Sequence, residues 1–422
     1  MSSTALQTPC VLVIQNGARH DYAIPNAFAE SDWLEVFHTD MCTFPGLSWA
    51  ENVPGLPGSV QRFLKRKPSA ATLRRTCRDP LVAWKMLRLS RRVSSDCRDF
   101  ARLRQEILEE RADRLLERGF GNASHVFSAF GEGGCFLAAA KAAGLPVLTD
   151  VYLALSTLGI ERTEWEAFPD WGPEPMRPED VVVDGRHPAL EMIANTSIFV
   201  CPSTFVADDL VANWGVQRSD IRIIPYAASR GWETIVPRPR KGRILFAGSA
   251  LRRKGIHILS KAARLLAQQG RHDIEFLVAG GVPNAVRTHP EARALTFLGR
   301  IPRDKVRNQF AEADIFVLPT LAEGSATVVY EAMAAGLPVI TTHEAGAPIT
   351  AGVDGLIVPA RDIEALATAI VSLVDDRDRR DKIAALARQS ASNLTAEKQA
   401  SRIRSLIDET NSRSSHSFQS CA

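Results

Sequence analysis

Paired cysteines are missing from this chain. Its seven cysteines, at positions 10, 42, 77, 97, 135, 201 and 421, are scattered, odd in number and form no CxxC pair. That argues against a disulfide framework or a zinc site and fits a reducing compartment. Long apolar runs are missing too: none reaches the roughly 18 residues of a membrane-spanning helix. Residues 1–10 lack the basic and long apolar regions of a secretion signal, so the expected location is cytoplasmic. Neither GxGxxG nor GxxxxGK[ST] occurs, which disfavours a dinucleotide cofactor and a P-loop nucleotide hydrolase.

What is present is an ordinary globular composition, 45% apolar and 23% charged over 422 residues, enough for two or three domains. The net charge of +3 hides an asymmetry. Residues 61–92 hold eleven Lys or Arg and one acid, Asp79, so this window is +10 and the remainder −7. Apolar residues such as Leu81, Trp84 and Leu87 are interleaved with those charges. Such a stretch suits an anionic membrane surface, with peripheral contact at the inner face, or a solvated pair of basic helices. No nucleic-acid module accompanies it, and nucleic acid is not expected as a partner.

Along the chain, short β-type runs alternate with helical patterns. Cys10–Ile14 leads through Gln15-Asn16-Gly17 into a helix from about Asp21 to Ala29. His125–Phe130 ends in a glycine-rich turn, and residues 151–195 are less regular and proline-rich, a candidate variable loop and helix over an acceptor cleft. His125 reads as a core histidine or, near a strand end, as a ligand contact. Trp232 to Gly242, with Pro237, Arg238, Pro239, Arg240 and Lys241, is a stiff basic linker, after which the strand–helix rhythm restarts at Arg243. The expected architecture is two successive doubly wound parallel-sheet α/β units joined near residue 235. Residues 1–235 are expected as the N-terminal domain and 236–410 as the C-terminal domain. Its last helix is a candidate to pack back on the first domain, and 411–422 are a disordered tail. Ligands of such sheets sit at the carboxyl ends of the strands.

Three loops at that edge of the second domain carry chemistry. Gly248 to Gly255 holds Arg252, Arg253 and Lys254, suited to phosphate. Gly299-Arg300-Ile301-Pro302 offers groups to a base. The third, inside FVLPTLAEGSATVVYEAMAAGLPVI (Phe316–Ile340), places Glu323 before a buried apolar helix expected over Ala326–Ala335 with Ser325 as its N-cap. Glu331 lies within that helix. A buried carboxylate needs a partner or a polar site, and the helix start is a natural anion site. Cations, free N–H groups and two carboxylates converging on one edge point to a nucleoside diphosphate carrying a polyol. No DxD-like metal motif accompanies these loops, so neutralisation rests on Arg, Lys and the helix dipole.

Glu323 and Glu331 in the E-x7-E pattern, Lys254 in RRKG, Gly336-x-Pro338 and VDGLIVP at Val353–Pro359 together resemble the retaining glycosyltransferases of family 4, the group 1 transferases. The likeness is strongest over about residues 240–375. It implies a GT-B fold, two Rossmann-like domains facing across a cleft, with 1–235 binding the acceptor and 236–410 the nucleotide sugar. The same likeness implies a retaining, metal-independent transfer from that nucleotide sugar to a glycan or lipid-linked hydroxyl acceptor, without a further cofactor. It also implies site roles. Glu331 would hold the ribose and Glu323 the transferred sugar, with Lys254 and Arg253 or Arg252 on the diphosphate. Gly248, Arg300, Ile301, Gly324, Ser325, Ala326 and Thr327 would complete the donor site. From the first domain Gly17 would approach the diphosphate and His125 the sugar, making Glu323, His125 and Lys254 the catalytic set. Two positions depart from the pattern: Ser249 stands where an Arg is frequent, and Ala227 where a Gly is frequent. A nucleotide-sugar epimerase and a non-catalytic nucleotide-sugar binder are the rival readings.

Overall fold

Short apolar-rich runs of two to six residues cannot stand alone and must be covered on both faces. They are the strands of two parallel sheets. The computed structural model describes residues 8–43, 53, 64, 66–91 and 97–419. The expected loop over 44–60 and several basic positions, Lys65 and Arg92 among them, lie largely outside these residues.

The first sheet contains β1 (Val11–Ile14), β2 (Leu34–Thr39), β3 (Thr76–Arg78), β4 (His125–Ala129), β5 (Val147–Asp150), β6 (Ile198–Cys201) and β7 (Ile221–Ile223), in the order β3-β2-β1-β4-β5-β6-β7. The second contains β8 (Arg243–Ala247), β9 (Glu275–Ala279), β10 (Leu295–Gly299), β11 (Ile315–Leu318), β12 (Val339–Thr341) and β13 (Leu356–Ile357), in the order β10-β9-β8-β11-β12-β13. Each sheet reverses direction once, between β1 and β4 and between β8 and β11. A crevice opens at the carboxyl ends of the strands at such a reversal.

Helices that matter for the argument are α1 (Ala23–Glu30), α2 (Pro80–Arg91), α3 (Cys97–Arg118), α4 (Thr157–Ala167), α5 (Ile256–Gln268), α6 (Thr327–Ala334) and α7 (Ala396–Gln419). Two segments differ from the sequence reading. The basic segment is not a simple helix pair, because Thr76–Arg78 adds an edge strand to the first sheet. Its three residues are too few to show alternation. Helix α4 lies in the proline-rich stretch 151–195, where a loop and helix are expected. Helix α7 runs on to Gln419, across the expected start of a disordered tail at residue 411.

The chain crosses between domains twice. After β7 it enters the second domain, and near Leu394 it returns, where the Leu394 carbonyl accepts from Ala228 N–H at 2.8 Å. Helix α7 then lies on α1 and drives Ile403, Leu406 and Ile407 into the core formed by Val11, Phe28, Phe37 and Leu148. A second exchange runs the other way. Trp171, from the first half of the chain, is only 3% exposed within the core of the second domain and stacks on His289 at 4.0 Å. Truncating Ile407, fully buried, to Ala is expected to destabilise the fold by roughly 2–5 kcal/mol. Urea denaturation followed by circular dichroism checks this, and a change below about 0.5 kcal/mol would contradict the packing.

Candidate functional site

Construction of the site begins at Gly255, which ends the Arg252–Lys254 turn after β8 and has φ +72°. A Cβ there would come within 1.9 Å of the Pro319 carbonyl oxygen. Only glycine lets the loop after β8 lie against the loop after β11. The Leu321 N–H and Thr320 hydroxyl then donate to the Arg253 carbonyl at 2.8 and 2.9 Å, closing the seam.

That seam brings the cations to the carboxylate. Lys254 Nζ lies 2.5 Å and Arg253 Nη1 3.0 Å from the same oxygen, Glu323 Oε1. Arg253 Nη1 also donates to the Ala322 carbonyl at 2.5 Å, and its Nε lies 3.0 Å from Glu161 Oε1 on α4. Glu323 is thereby neutralised without leaving the surface of the cleft.

Helix α6 starts one residue later than expected, at Thr327, with Ala326 at its N-cap and no capping side chain. Ser325 is not the cap. Its hydroxyl hydrogen-bonds the Tyr330 hydroxyl and donates to the Gly346 carbonyl at 2.9 Å. The first turn of an apolar helix is therefore left without a side-chain acceptor, beside Lys254 and facing the cleft. Farther along, Glu331 is half-buried. Burial raises its carboxyl above the ordinary range, while the Ser229 hydroxyl and the Arg303 charge oppose the rise. The Trp232 indole N–H approaches this carboxylate without reaching hydrogen-bond geometry.

A cleft of about 310 Å³ joins these groups. Gly248, Lys254, Glu323, Ser325, Ala326, Thr327 and Glu331 line it, together with Trp232, Val306 and Phe310. The last three were not singled out from the sequence. Trp232 lies in a stretch that reads as linker, while Val306 and Phe310 sit four apart on a helix and read as core.

Other expected residues lie elsewhere. Arg252 is turned away from the cleft and spends its guanidinium on the carbonyls of Phe168, Gly172 and Pro173. Arg300 is exposed and Nε would lie 3.2 Å from a Cβ added at Gly281, while Ile301 packs on the core. Gly324 is covered by the first domain, since a Cβ there would meet the Tyr152 carbonyl oxygen at 1.7 Å. Gly17 follows β1 and donates its N–H to Asp40 Oδ1 at 2.8 Å. His125 is corrected outright. It is the first residue of β4, 1% exposed, with Nδ1 paired to Ser124 at 2.8 Å and Nε2 to Thr410 at 3.0 Å. The glycine turn that suggested a ligand contact is at the opposite end of the strand.

The carboxyl edge of the first sheet instead presents Arg19, His20, Asp150, Tyr152 and Tyr226. Arg19 lies 3.7 Å from the Tyr152 ring centroid, His20 stacks on Tyr226 at 3.7 Å, and the Tyr226 hydroxyl donates to Asp150 Oδ1 at 3.1 Å. His20, Asp21 and Tyr22 all have positive φ. Three successive non-glycine residues in that region store backbone strain of roughly 1–3 kcal/mol each. The surrounding packing holds them there, beside the cleft between domains.

Two parallel α/β domains with a cation-and-carboxylate cleft at the switch point of the second define a GT-B protein, and comparison with solved structures agrees. Sucrose-phosphate synthase from Thermosynechococcus elongatus superposes with TM-score 0.63 at 17% identity, over 96% of this chain and all of that one. Anabaena Alr3699/HepE, solved in complex with UDP and glucose, superposes with TM-score 0.57 at 13% identity, over 95% and 100%. Residues 241–376, about a third of the chain, match the family described as Glycosyl transferases group 1. D-inositol 3-phosphate glycosyltransferase of Paenarthrobacter aurescens is 28% identical over 248 residues, 53% of this chain and 58% of that protein. The amylovoran biosynthesis glycosyltransferase AmsK of Erwinia amylovora is 31% identical over 145 residues, 31% and 35%. The chain spans about half the length, or less, of the curated relatives it matches.

Asp150 supplies a pH test of the edge. Burial pushes its carboxyl from the ordinary 3.8 up to about 6, against the pull of Tyr226 and Arg19. The folded state therefore favours the neutral acid. The penalty is absent below about pH 4, where both states are protonated, and complete above about pH 6. Asp150→Asn keeps an acceptor for Tyr226 and is expected to stabilise the protein by roughly 2–3 kcal/mol at pH 7.5. Thermal melts across pH 3.5–7.5 check that the gain vanishes at the acid end.

Proposed function

We propose that this protein transfers a sugar from a nucleoside-diphosphate sugar to the hydroxyl of a glycan or lipid-linked acceptor, with retention at the anomeric carbon. The observation that carries the reading is the single cleft in which Lys254, the uncapped start of α6, Glu323 and Glu331 meet. An ammonium and oriented N–H groups suit a diphosphate, whose charge grows as the glycosidic bond breaks. A carboxylate already balanced by two cations suits sugar hydroxyls. Glu331, at the other end of the helix beside Trp232, suits the ribose. The retaining course and independence from a metal follow from the resemblance to family 4, in which the donor phosphate helps deprotonate the acceptor on the same face. Neither carboxylate then serves as a nucleophile, unlike the paired acids of glycosidases.

The first domain supplies the acceptor side. Its Arg19, Asp150 and Tyr226 stand at the carboxyl edge of the first sheet, the edge that faces the cleft. Helix α2 gives the basic segment a shape suited to an anionic membrane surface, with Leu81, Trp84 and Leu87 exposed on it and Arg74, Arg75 and Arg88 exposed nearby.

The transferase reading is tested by titrating a panel of uridine and guanosine diphosphate sugars into the full chain. Lys254→Ala and Glu331→Ala are each expected to weaken the bound donor about tenfold or more. If both variants bind as the wild type does, the donor site lies elsewhere. Release of nucleoside diphosphate together with a product heavier by one sugar distinguishes transfer from epimerisation. For the membrane contact, co-sedimentation with phosphatidylglycerol vesicles is expected to fall as salt rises and to be lost in Trp84→Ser/Leu87→Ser. Unchanged binding of that variant removes the idea.

A further inference from the structure

We propose that Glu161, on helix α4 of the N-terminal half, is a positioning residue for Glu323, acting through Arg253. The inference rests on the donor-site reading and adds to it a residue from the opposite domain.

Arg253 stands where two carboxylates and two loops meet. Nε faces Glu161 Oε1 at 3.0 Å, and Nη1 faces both Glu323 Oε1 at 3.0 Å and the Ala322 carbonyl at 2.5 Å. Its own carbonyl is held by Leu321 and Thr320. A guanidinium is planar and presents its donors as a rigid fork. Fixing Nε on Glu161 therefore fixes the direction in which Nη1 meets Glu323. Lys254 cannot do this alone, because an ammonium on a flexible stem is a point charge without a preferred plane.

Both cations take Oε1 of Glu323, and among the described residues Oε2 has no hydrogen-bond partner. The carboxylate is thus anchored by one oxygen, which leaves the other to accept from a hydroxyl ligand in the cleft that Glu323 lines. The three charges are largely withdrawn from solvent, with side-chain exposures of 27% for Glu161, 19% for Arg253 and 14% for Glu323. Screening by water is reduced there, so removing one charge reorganises the others.

The chain Glu161–Arg253–Glu323 also means that neither arginine of this loop stands in for the one that Ser249 replaces. Of the three cations in the loop after β8, Arg252 is committed to the turn at Phe168–Pro173 and Arg253 to the carboxylates. Lys254 is the one that lines the cleft. Arg253 is assigned to orienting the sugar carboxylate, not to the diphosphate.

Because Glu323 is read as the sugar contact, the effect must depend on the sugar. The experiment measures dissociation constants of UDP-glucose, UDP-N-acetylglucosamine and GDP-mannose, and of UDP and GDP alone, by calorimetry on the full chain. For the pair that the wild type binds, Glu161→Gln is expected to weaken the nucleotide sugar about tenfold and the bare nucleoside diphosphate less than twofold. Glu161→Gln/Arg253→Met is expected to bind the nucleotide sugar as Arg253→Met alone does, since the two act as one unit. Equal weakening of sugar-bearing and bare nucleotide would mark a general loss of domain docking and overturn the proposal. So would additive effects in the double variant, or a Glu161→Gln protein that binds as the wild type does. A wild type that binds none of these ligands would defeat the donor-site reading itself, and the role of Glu161 with it.

Discussion

The contact between Gly255 and the Pro319 carbonyl is the constraint on which the site depends. It is a backbone-to-backbone approach that a single methyl group would block. Without it the turn carrying Arg253 and Lys254 would stand off from the loop carrying Glu323, and three charges would lose their partners together. The cost of burying a charge is several kcal/mol when it is unpaired and small when it is paired and hydrogen-bonded. The seam therefore decides whether these residues are a site or a liability. The same logic repeats beside it. Gly324 lets the Tyr152 carbonyl reach the entry of α6, and the Ser203 hydroxyl donates to the Gly324 carbonyl at 2.6 Å.

Charge partnering separates two kinds of acidic residue in this protein. Asp314 is fully buried but saturated: Arg377 holds both its oxygens at 2.7 Å and Gly242 N–H adds a third bond. Glu164 is equally dry, and burial would raise its carboxyl, yet His257 at 2.5 Å and Arg361 at 2.7 Å bring it below the ordinary range. These acids hold elements together. Glu331 differs in being half-buried, raised by burial and turned to a cleft. Perturbation with an open face is the pattern of binding sites, and perturbation with full satisfaction is the pattern of a structural pair.

Most of the fold was legible because parallel strands buried on both faces read as apolar runs, and twelve of the thirteen strands were read from such runs even where a polar residue interrupts them, as Arg222 does in β7 and Thr296 in β10. The exception, Thr76–Arg78, is an edge strand with half-buried polar residues and leaves no such mark. Lys254, Glu323 and Glu331 were legible because each puts a charge inside a glycine-rich or apolar setting. His125 misled, since a strand has two ends and sequence proximity to a glycine turn does not say which end faces the ligand. Arg252 misled because neighbouring side chains on one turn point apart, and only coordinates show that it serves the Phe168–Pro173 segment. Glu161 and Trp232 left no local signal at all. Their roles arise from contacts between residues 92 and 99 positions apart in the chain, namely Glu161 with Arg253 and Trp232 with Glu331.

The return of α7 has a consequence for how the molecule comes to be made. The hydrophobic centre of the first domain is closed by Ile403, Leu406 and Ile407, residues that leave the ribosome after the whole second domain has been synthesised. A nascent chain of some 230 residues would already have most of its first sheet but would expose the face of α1 that α7 covers. Such an intermediate is sticky, and its completion waits on contacts separated by nearly the full length of the polypeptide. The two halves therefore mature as one cooperative body, and separately expressed halves would each lack the part of their own interior that the other supplies: Trp171 in one direction, α7 in the other.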